Sequence, residues 1–324
     1  MKRRSFLRTS ALLTGALYTG QSSALVPQAM PVIDTHIHLF DPTRASGVPW
    51  PKPDDEVLYK PALPERYRQV SKGFGVVGAI AIEASPLLED NDWLLGVAEK
   101  DPMIVGIIGD LVPGCATFGA ALERLHRTPL FLGLRYGNLW DRNLTADIGK
   151  PGFIDGLRLL SDAKLVFESA NPTPELIQTL ADLAEKIPEL TIVVDHLPHG
   201  TIPAGDSAKN IYLRNLAGLG GSRRVFIKLS EILHEKDGGV VTDLEAYQGV
   251  LDELWQIFGE DKVMYGSDWP NSDHLAPYAE TIRLLRKYVA RKGLAAQEKF
   301  FWRNSLKAYG WKPRSPAQRA LIRS

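Results

Sequence analysis

Short apolar runs that alternate with helix-forming segments are the feature that most constrains the fold of this chain. The runs are rich in Val, Ile, Leu and Phe without strict polar alternation, which is typical of parallel strands buried on both faces. Segments with helical spacing separate them, and the capping pair Thr173 and Pro174 marks the start of one such helix. We predict strands at residues 32–36, 76–83, 103–108, 130–135, 164–168, 191–196, 225–229 and 263–267.

Eight strand and helix units in about 290 residues predict an α/β fold of the (β/α)8 TIM barrel type, with a doubly wound sheet as the alternative. The apolar content of 44% is enough for one large core. We therefore expect one barrel domain at residues 30–310, followed by a C-terminal tail at residues 311–324. A second capping pair, Ser85 and Pro86, predicts a helix start after the second strand.

The first 29 residues have a basic start, a short apolar middle and small residues near the end, which predicts a signal peptide. The adjacent Arg3 and Arg4 resemble a twin-arginine signal, so the expected partner is the bacterial twin-arginine export machinery and the expected location is periplasmic or secreted. A membrane anchor is the alternative, but the apolar run is short for the ~30 Å of hydrocarbon in a bilayer. We expect no anchor after cleavage.

Charge and cysteine content narrow the class of partner. The signal segment holds four basic residues and no acidic one, so its removal lowers the formal net charge from +0 to −4. A mildly acidic protein is a poor candidate for nucleic-acid binding, and we expect a small-molecule substrate instead. Cys115 is the only cysteine and cannot form an internal disulfide. A homodimer formed through the outer helices is also expected of such barrels.

Two histidines separated by one residue end the first apolar run, VIDTHIHLFDP. In a regular strand His36 and His38 point to the same side, with Asp34 on that side as well. Hydrogen bonding within the core is one interpretation of such a pair. A shared site is favoured, because two buried imidazoles without a common role are costly to desolvate.

Polar residues at the ends of other runs should share a cavity with this pair, since the carboxyl ends of parallel barrel strands meet at one mouth. Taken singly, either Glu168 or Lys228 could equally be a member of some salt bridge inside the barrel. Taken together, the residues predict a site, because unpaired charges in a barrel centre are strongly destabilising. The set is Arg135, Glu168, His196, Lys228 and Asp268.

The longest connection, residues 41–67, is rich in proline and follows the first strand. It predicts either a lid over the mouth, with Trp50 as a wall that faces the substrate, or a packing loop. His199 and Glu231 follow later strands, where substrate contact and loop hydrogen bonding are equally expected.

Six segments together resemble the amidohydrolase superfamily, in the amidohydrolase-related branch of TIM-barrel metal-dependent hydrolases that includes sugar-lactone and pyrone-dicarboxylate lactonases. They are DTHIHLFDP, EASPLLEDNDWLL, GLRYG, VVDHLPHG, FIKLS and MYGSDWP. The resemblance spans about residues 31–309. It implies His36, His38 and His196 as a ligand cluster, His196 and Asp268 as catalytic residues with Asp268 activating water, and Arg135 and Lys228 as substrate-facing cations.

Imidazoles and a carboxylate with an open position suit one divalent metal, zinc first and manganese second, with a metal-free site as the alternative. The expected ligands are His36, His38, His196 and Asp268, with Glu168 as a further candidate. Arg135 could bind a substrate carboxylate with two parallel hydrogen bonds. The residues expected to bind substrate are Arg135, Glu168, Lys228, His199, Glu231 and Trp50.

The expected activity is hydrolysis of a lactone or related cyclic ester of a small sugar-acid-like or dicarboxylate compound, with water activated by Asp268. Two alternatives stay open. One is a non-oxidative decarboxylase of the same superfamily, and the other is a barrel that binds a metal or ligand without catalysis.

Overall fold

Eight parallel strands form one sheet whose spatial order follows the order of the chain, in a computed structural model that describes residues 30–199, 203 and 205–323. Sequential order with parallel pairing defines a (β/α)8 barrel and excludes the doubly wound alternative, which requires a reversal of strand order. The predicted fold is confirmed. The strands are β1 (Val32–His38), β2 (Val76–Ile82), β3 (Ile104–Gly109), β4 (Phe131–Arg135), β5 (Val166–Ser169), β6 (Thr191–Val194), β7 (Val225–Leu229) and β8 (Val263–Tyr265).

Helices cover the outside of the barrel and one of its ends. The start predicted at Thr173 is confirmed, since its side chain accepts a hydrogen bond from the N–H of Leu176. The start predicted at Ser85 is wrong: its hydroxyl accepts the N–H of Leu87 in a turn, and the helix begins only at Asp90. The helices are α1 (Pro64–Val70), α2 (Asp90–Lys100), α3 (Phe118–His126), α4 (Leu144–Asp147), α5 (Phe153–Asp162), α6 (Pro174–Lys186), α7 (Asp206–Gly221), α8 (Leu244–Phe258), α9 (Tyr278–Ala290), α10 (Leu294–Glu298), α11 (Asn304–Tyr309) and α12 (Pro316–Arg323).

Shorter elements complete the chain. A small antiparallel hairpin pairs Glu235–Lys236 with Gly239–Val240, and 3-10 turns form at Leu197–His199 and Asn271–His274. A π-helical turn, Lys299–Arg303, joins α10 to α11. No helix within residues 30–199 or 205–323 is long and apolar enough to cross a membrane. The predicted signal peptide at residues 1–29 lies outside the described residues.

Two apolar cores result, one between the strands and the outer helices and one inside the barrel. The inner core ends in the C-terminal segment, where Trp311 is fully buried and Gln318 donates to the main-chain oxygens of Val77 and Pro102. Those oxygens lie at the amino ends of β2 and β3. The segment predicted as a tail beyond the domain thus closes the amino end of the barrel.

The seam between β1 and β8 closes the barrel directly beneath the mouth. The N–H of Asp268 donates to the oxygen of His36 at 2.9 Å, and the N–H of His38 donates to the oxygen of Trp269 at 2.7 Å. The prediction that Asp34 shares a face with the two histidines is wrong, because the register of β1 against β2 shifts between Asp34 and Ile37. Asp34 instead lies among the outer helices.

Candidate active site

Three imidazoles converge on one carboxylate oxygen at the carboxyl end of the barrel. Oδ1 of Asp268 lies 3.4 Å from Nε2 of His36, 3.3 Å from Nε2 of His38 and 3.9 Å from Nε2 of His196. All four side chains are buried. Among the described residues, His36 Nε2 and Asp268 Oδ1 have no hydrogen-bond partner. Buried polar atoms are rarely left unsatisfied, so this donor set fits a metal ion.

The protonation states of the histidines and of Asp268 also favour metal binding. Burial, with a contribution from the charge of Lys228, lowers the pKa of His36 well below its usual range, and burial lowers the pKa of His196 to about 4. Both rings are therefore neutral near pH 7 and can offer a lone pair. Burial would raise the pKa of the Asp268 carboxyl, but the facing histidines outweigh it and hold that pKa below its usual range. Asp268 is thus an ionised acceptor.

Neighbouring groups orient each ligand. Nδ1 of His38 lies 3.2 Å and 3.1 Å from the main-chain oxygens of Ile82 and Glu83, which orients Nε2 toward Asp268. Nδ1 of His196 lies 2.9 Å from the hydroxyl of Ser230. Such outer contacts fix ring orientation and tautomer in metal sites. They leave the Nε2 atoms of both rings free to face one point.

Left-handed backbone conformations recur at the mouth. Each of four residues just after β5, β6, β7 and β8 has a φ between 49° and 59°, a region that is uncommon for residues other than glycine. The side chains of all four line the same cavity. Backbone strain of this kind concentrates at functional sites, where it places side chains that a relaxed turn would direct elsewhere. The residues are Asn171, His196, Glu231 and Asp268.

Below the cluster, three charged residues and one tyrosine form what we call the interior network, made of Glu168, Asp195, Lys228 and Tyr309. Nζ of Lys228 lies 2.8 Å from Oε2 of Glu168, 3.0 Å from Oδ1 of Asp195 and 3.2 Å from Nδ1 of His36. The hydroxyl of Tyr309 donates to Glu168. Glu168 and Lys228 are fully buried and absent from the cavity wall. The structure therefore places them in an internal salt bridge and not at the substrate surface.

The cavity itself has a volume of about 280 Å³ and opens above the histidine cluster. Trp50, carried by the long connection at residues 41–63, packs edge-on against His38 with ring centroids 5.6 Å apart. Glu231 lies at the rim with its carboxylate 3.6 Å from Nδ1 of His196. The backbone of His199 ends a 3-10 turn near the mouth, and its side chain lies outside the described part of the structure. The cavity is lined by His38, Trp50, Glu83, Ala84, Arg135, Leu139, Trp140, Ala170, Asn171, His196, Glu231, Asp268 and Asn271.

Arg135 reaches the cavity but is already engaged. Its Nε donates to Oε1 of Glu83 at 2.7 Å, and its Nη2 donates to the main-chain oxygen of Glu83 at 3.0 Å. Oε2 of Glu83 accepts the indole N–H of Trp140 at 3.0 Å. Glu83 therefore takes the Nε and Nη2 edge of the guanidinium, and only the edge formed by Nη1 and Nη2 is left for the expected two-bond contact with a substrate carboxylate.

Sequence reasoning missed Asp195 and Glu83. Asp195 precedes His196 directly and Glu83 closes the second apolar run, so the strand-end criterion applied to the other residues would have included both. Asn271 was also missed; its amide donates to Oδ2 of Asp268 at 2.8 Å. That residue lies in a 3-10 turn beyond β8, and the sequence carries no comparable signal for it.

Comparison with known proteins agrees with this geometry. A family model described as Amidohydrolase matches residues 33–311. The L-fucono-1,5-lactonase of Burkholderia ambifaria is 27% identical over 246 residues, which cover 74% of this chain and 80% of that protein. A solved structure of an amidohydrolase from Burkholderia multivorans with bound Zn gives a TM-score of 0.76 at 21% identity and covers 87% of this chain and 100% of its own. A solved structure of a probable 2-pyrone-4,6-dicarboxylic acid hydrolase from Acinetobacter baumannii gives a TM-score of 0.65 at 20% identity, and it covers 87% of this chain and 100% of its own.

The barrel and the imidazole and carboxylate cluster at its carboxyl end define a TIM-barrel hydrolase with a site able to hold a metal ion. The chain belongs to the amidohydrolase family, because the family model covers nearly all of the described residues. The resemblance predicted from the six sequence segments is confirmed. The protein is accordingly an enzyme of the hydrolase class.

Proposed function

We propose that this enzyme is a lactonase that hydrolyses an uncharged, hydroxyl-bearing cyclic ester with the help of one divalent metal ion, zinc in the first instance. The observation that carries the proposal is the convergence of three Nε2 atoms on Oδ1 of Asp268 beside an open cavity. Support for a lactone comes from the curated relative, which is named as an L-fucono-1,5-lactonase. Support for zinc comes from the donor set and from the solved relative that holds Zn.

Cavity charge favours an uncharged substrate over a dicarboxylate. Arg135 is the only cationic side chain among the lining residues, while Glu83, Glu231 and Asp268 bring three carboxyl groups. Glu83 already pairs with Arg135 at 2.7 Å, so apart from the proposed metal ion no unpaired cation among the lining residues is available to a second carboxylate of the substrate. A dicarboxylate would therefore leave one of its carboxylates without a cationic partner, whereas a neutral ring would meet apolar indole faces and polar donors at the rim.

Each group in the cavity has a role in the reaction we propose. His36, His38, His196 and Asp268 would hold the metal, which when bound lowers the pKa of water and polarises a carbonyl. Asp268, with Oδ2 fixed by Asn271, accepts the proton of the attacking water. Water oxygen bonds to the ester carbon, the bond to the ring oxygen breaks, and that oxygen leaves as a hydroxyl group with the proton that Asp268 took from the water. Trp50 and Trp140 limit entry of bulk water and orient the ring.

Elemental analysis of the purified protein together with hydrolysis of L-fucono-1,5-lactone tests this proposal. We expect about one zinc per chain, activity that is lost on chelation and restored by zinc, and little turnover of 2-pyrone-4,6-dicarboxylate. Asp268→Asn should abolish turnover and keep the fold. Release of carbon dioxide from an aromatic acid without hydrolysis of any lactone would instead establish the decarboxylase alternative, and ligand binding without turnover would establish the non-catalytic one.

Export by the twin-arginine machinery remains a proposal that rests on the adjacent Arg3 and Arg4 and on the apolar stretch after them. Fractionation of bacterial cells tests it. The protein should reach the periplasm with its signal segment removed, and replacement of both arginines by lysine should retain it in the cytoplasm. Periplasmic delivery of the doubly substituted chain would exclude this route.

A further inference from the structure

The contact of His36 with Lys228 and the binding of a metal by His36 require different positions of the ring proton. An ammonium group has no lone pair, so the 3.2 Å contact between Lys228 Nζ and His36 Nδ1 requires an unprotonated Nδ1 that accepts from Lys228. A neutral ring then carries its proton on Nε2. Nε2 is also the atom that faces Asp268 and the other two histidines, and a protonated nitrogen cannot ligate a metal.

Asp195 offers the alternative partner for Nδ1. Its Oδ1 lies 3.5 Å from His36 Nδ1. Although Lys228 Nζ is 3.0 Å away, neither oxygen of Asp195 accepts an aligned hydrogen bond from any residue that the structure describes. The side chain is fully buried, and an unsatisfied buried carboxylate is costly. A ring with its proton on Nδ1 would satisfy Asp195 and free Nε2 at the same time.

Three unsatisfied buried atoms are therefore explained by one change. With the proton on Nδ1, Asp195 Oδ1 gains a donor, while a cation above the ring engages both His36 Nε2 and Asp268 Oδ1. The ring loses a proton at Nε2 and gains one at Nδ1, so it stays neutral in both arrangements. Lys228 keeps its charge and remains held by Glu168, which Tyr309 anchors from the C-terminal end of α11.

We propose that Asp195 is a positioning residue that selects the metal-binding tautomer of His36, and that metal loading moves the Nδ1 contact of His36 from Lys228 to Asp195. The inference rests on the metal site proposed above. It gives the interior network a role in metal binding that neither the family match nor the curated relative describes. Carboxylates that contact ligating histidines from behind commonly change metal affinity about 10-fold to 100-fold.

Metal affinity of matched variants tests the role of Asp195. In Asp195→Asn the carboxylate that accepts from Nδ1 is replaced by a neutral amide, and we expect the dissociation constant for Zn²⁺, measured by competition with a chromophoric chelator, to rise about 10-fold to 100-fold. Asp147→Asn is the control, since it removes a buried carboxylate bound to Tyr136 outside the cavity wall. Its Zn²⁺ affinity should equal that of the wild type.

NMR of the histidine ring nitrogens in the wild type tests the proposed change of tautomer directly. The comparison of metal-free and zinc-loaded protein needs only the wild type. In protein labelled with ¹⁵N-histidine, with His36 assigned by comparison with His36→Gln, we expect a proton on Nε2 without metal and on Nδ1 with Zn²⁺. The same tautomer in both states, or an Asp195→Asn protein that binds Zn²⁺ as tightly as the wild type, overturns the inference. A wild type that binds no Zn²⁺ overturns the metal site and the inference with it.

Discussion

Asp34 accepts the main-chain N–H of Ser267 on its Oδ1 at 2.9 Å, and the same oxygen accepts the N–H of His36 at 3.1 Å. One carboxylate therefore joins the strand that carries two candidate ligands to the segment that leads into Asp268. Its other oxygen accepts the hydroxyl of Tyr67 at 2.8 Å. This arrangement lies at the barrel seam, where few ladder hydrogen bonds connect the two strands.

Removal of that carboxylate should destabilise the barrel and disturb the site. Asp34→Ala leaves the N–H of Ser267 and the hydroxyl of Tyr67 buried without their acceptor, which we expect to cost about 3 kcal/mol of unfolding free energy. Urea denaturation measures the loss. Asp34→Asn keeps an acceptor for the two N–H groups, and it should retain most of the stability. Equal losses in the two variants would show that charge, and not hydrogen bonding, holds the seam.

Glu83 should control substrate binding through Arg135 and Trp140. Glu83→Gln keeps the size of the side chain but weakens a hydrogen bond to a charged group, which is worth about 1.5–3 kcal/mol. We expect KM for the lactone to rise about tenfold or more, since each 1.4 kcal/mol is about a factor of ten, with a smaller change in kcat. Steady-state kinetics checks this. Glu123→Gln, in an exposed pair with Arg127, is the control and should leave both parameters unchanged.

The lowered pKa of Asp147 should make the free energy of unfolding depend on pH. Burial would raise the pKa of this carboxyl, but hydrogen bonds from Lys150, Tyr136 and the N–H of Asn143 outweigh it and lower the pKa. A folded-state pKa below the unfolded value gives stability that is present above the unfolded pKa and lost as pH falls through the folded pKa. Asp147→Asn should therefore be less stable than the wild type at pH 7, and the difference should shrink below about pH 4. A difference that is constant from pH 3 to pH 7 would contradict the assignment.

The C-terminal segment should be required for stability. Nη1 of Arg314 donates to the main-chain oxygens of Ala98, Asp101 and Ile104, near the end of α2 and the start of β3. Arg314→Ala removes this charged donor from all three oxygens, while Ala98 and Asp101 keep a main-chain donor each, and we expect a loss of about 1.5–3 kcal/mol. Thermal unfolding compares it with Arg319→Ala, an exposed arginine of α12, which should be neutral.

The pattern of apolar strands in the sequence was enough to predict most of the fold, and the polar residues at the strand ends were enough to predict part of the site. Buried parallel strands leave an apolar signal, and barrel geometry gathers their carboxyl ends, so the histidine cluster and Asp268 could be placed together. The side-chain direction of Asp34 could not, because a register shift within β1 has no mark in the sequence. Lys228 and Glu168 show a further limit. Residue type and strand position allowed a salt bridge for either residue but did not reveal that Lys228 and Glu168 pair with each other.

Gly266 is the position where the seam tolerates no side chain. A Cβ there would lie 2.8 Å from Cβ of His36 and 3.1 Å from Cβ of Ser230, and neither of these atoms is the end of a flexible chain. Gly266→Ala must therefore displace β8 from the strands that carry His36 and the partner of His196. We expect a stability loss of about 1–3 kcal/mol and a weaker affinity for Zn²⁺. Gly249→Ala, in α8 with open space around it, is the control and should bind Zn²⁺ normally. Because Asp268 follows Gly266 by two residues, unchanged zinc affinity in Gly266→Ala would mean that Asp268 contributes little to holding the metal.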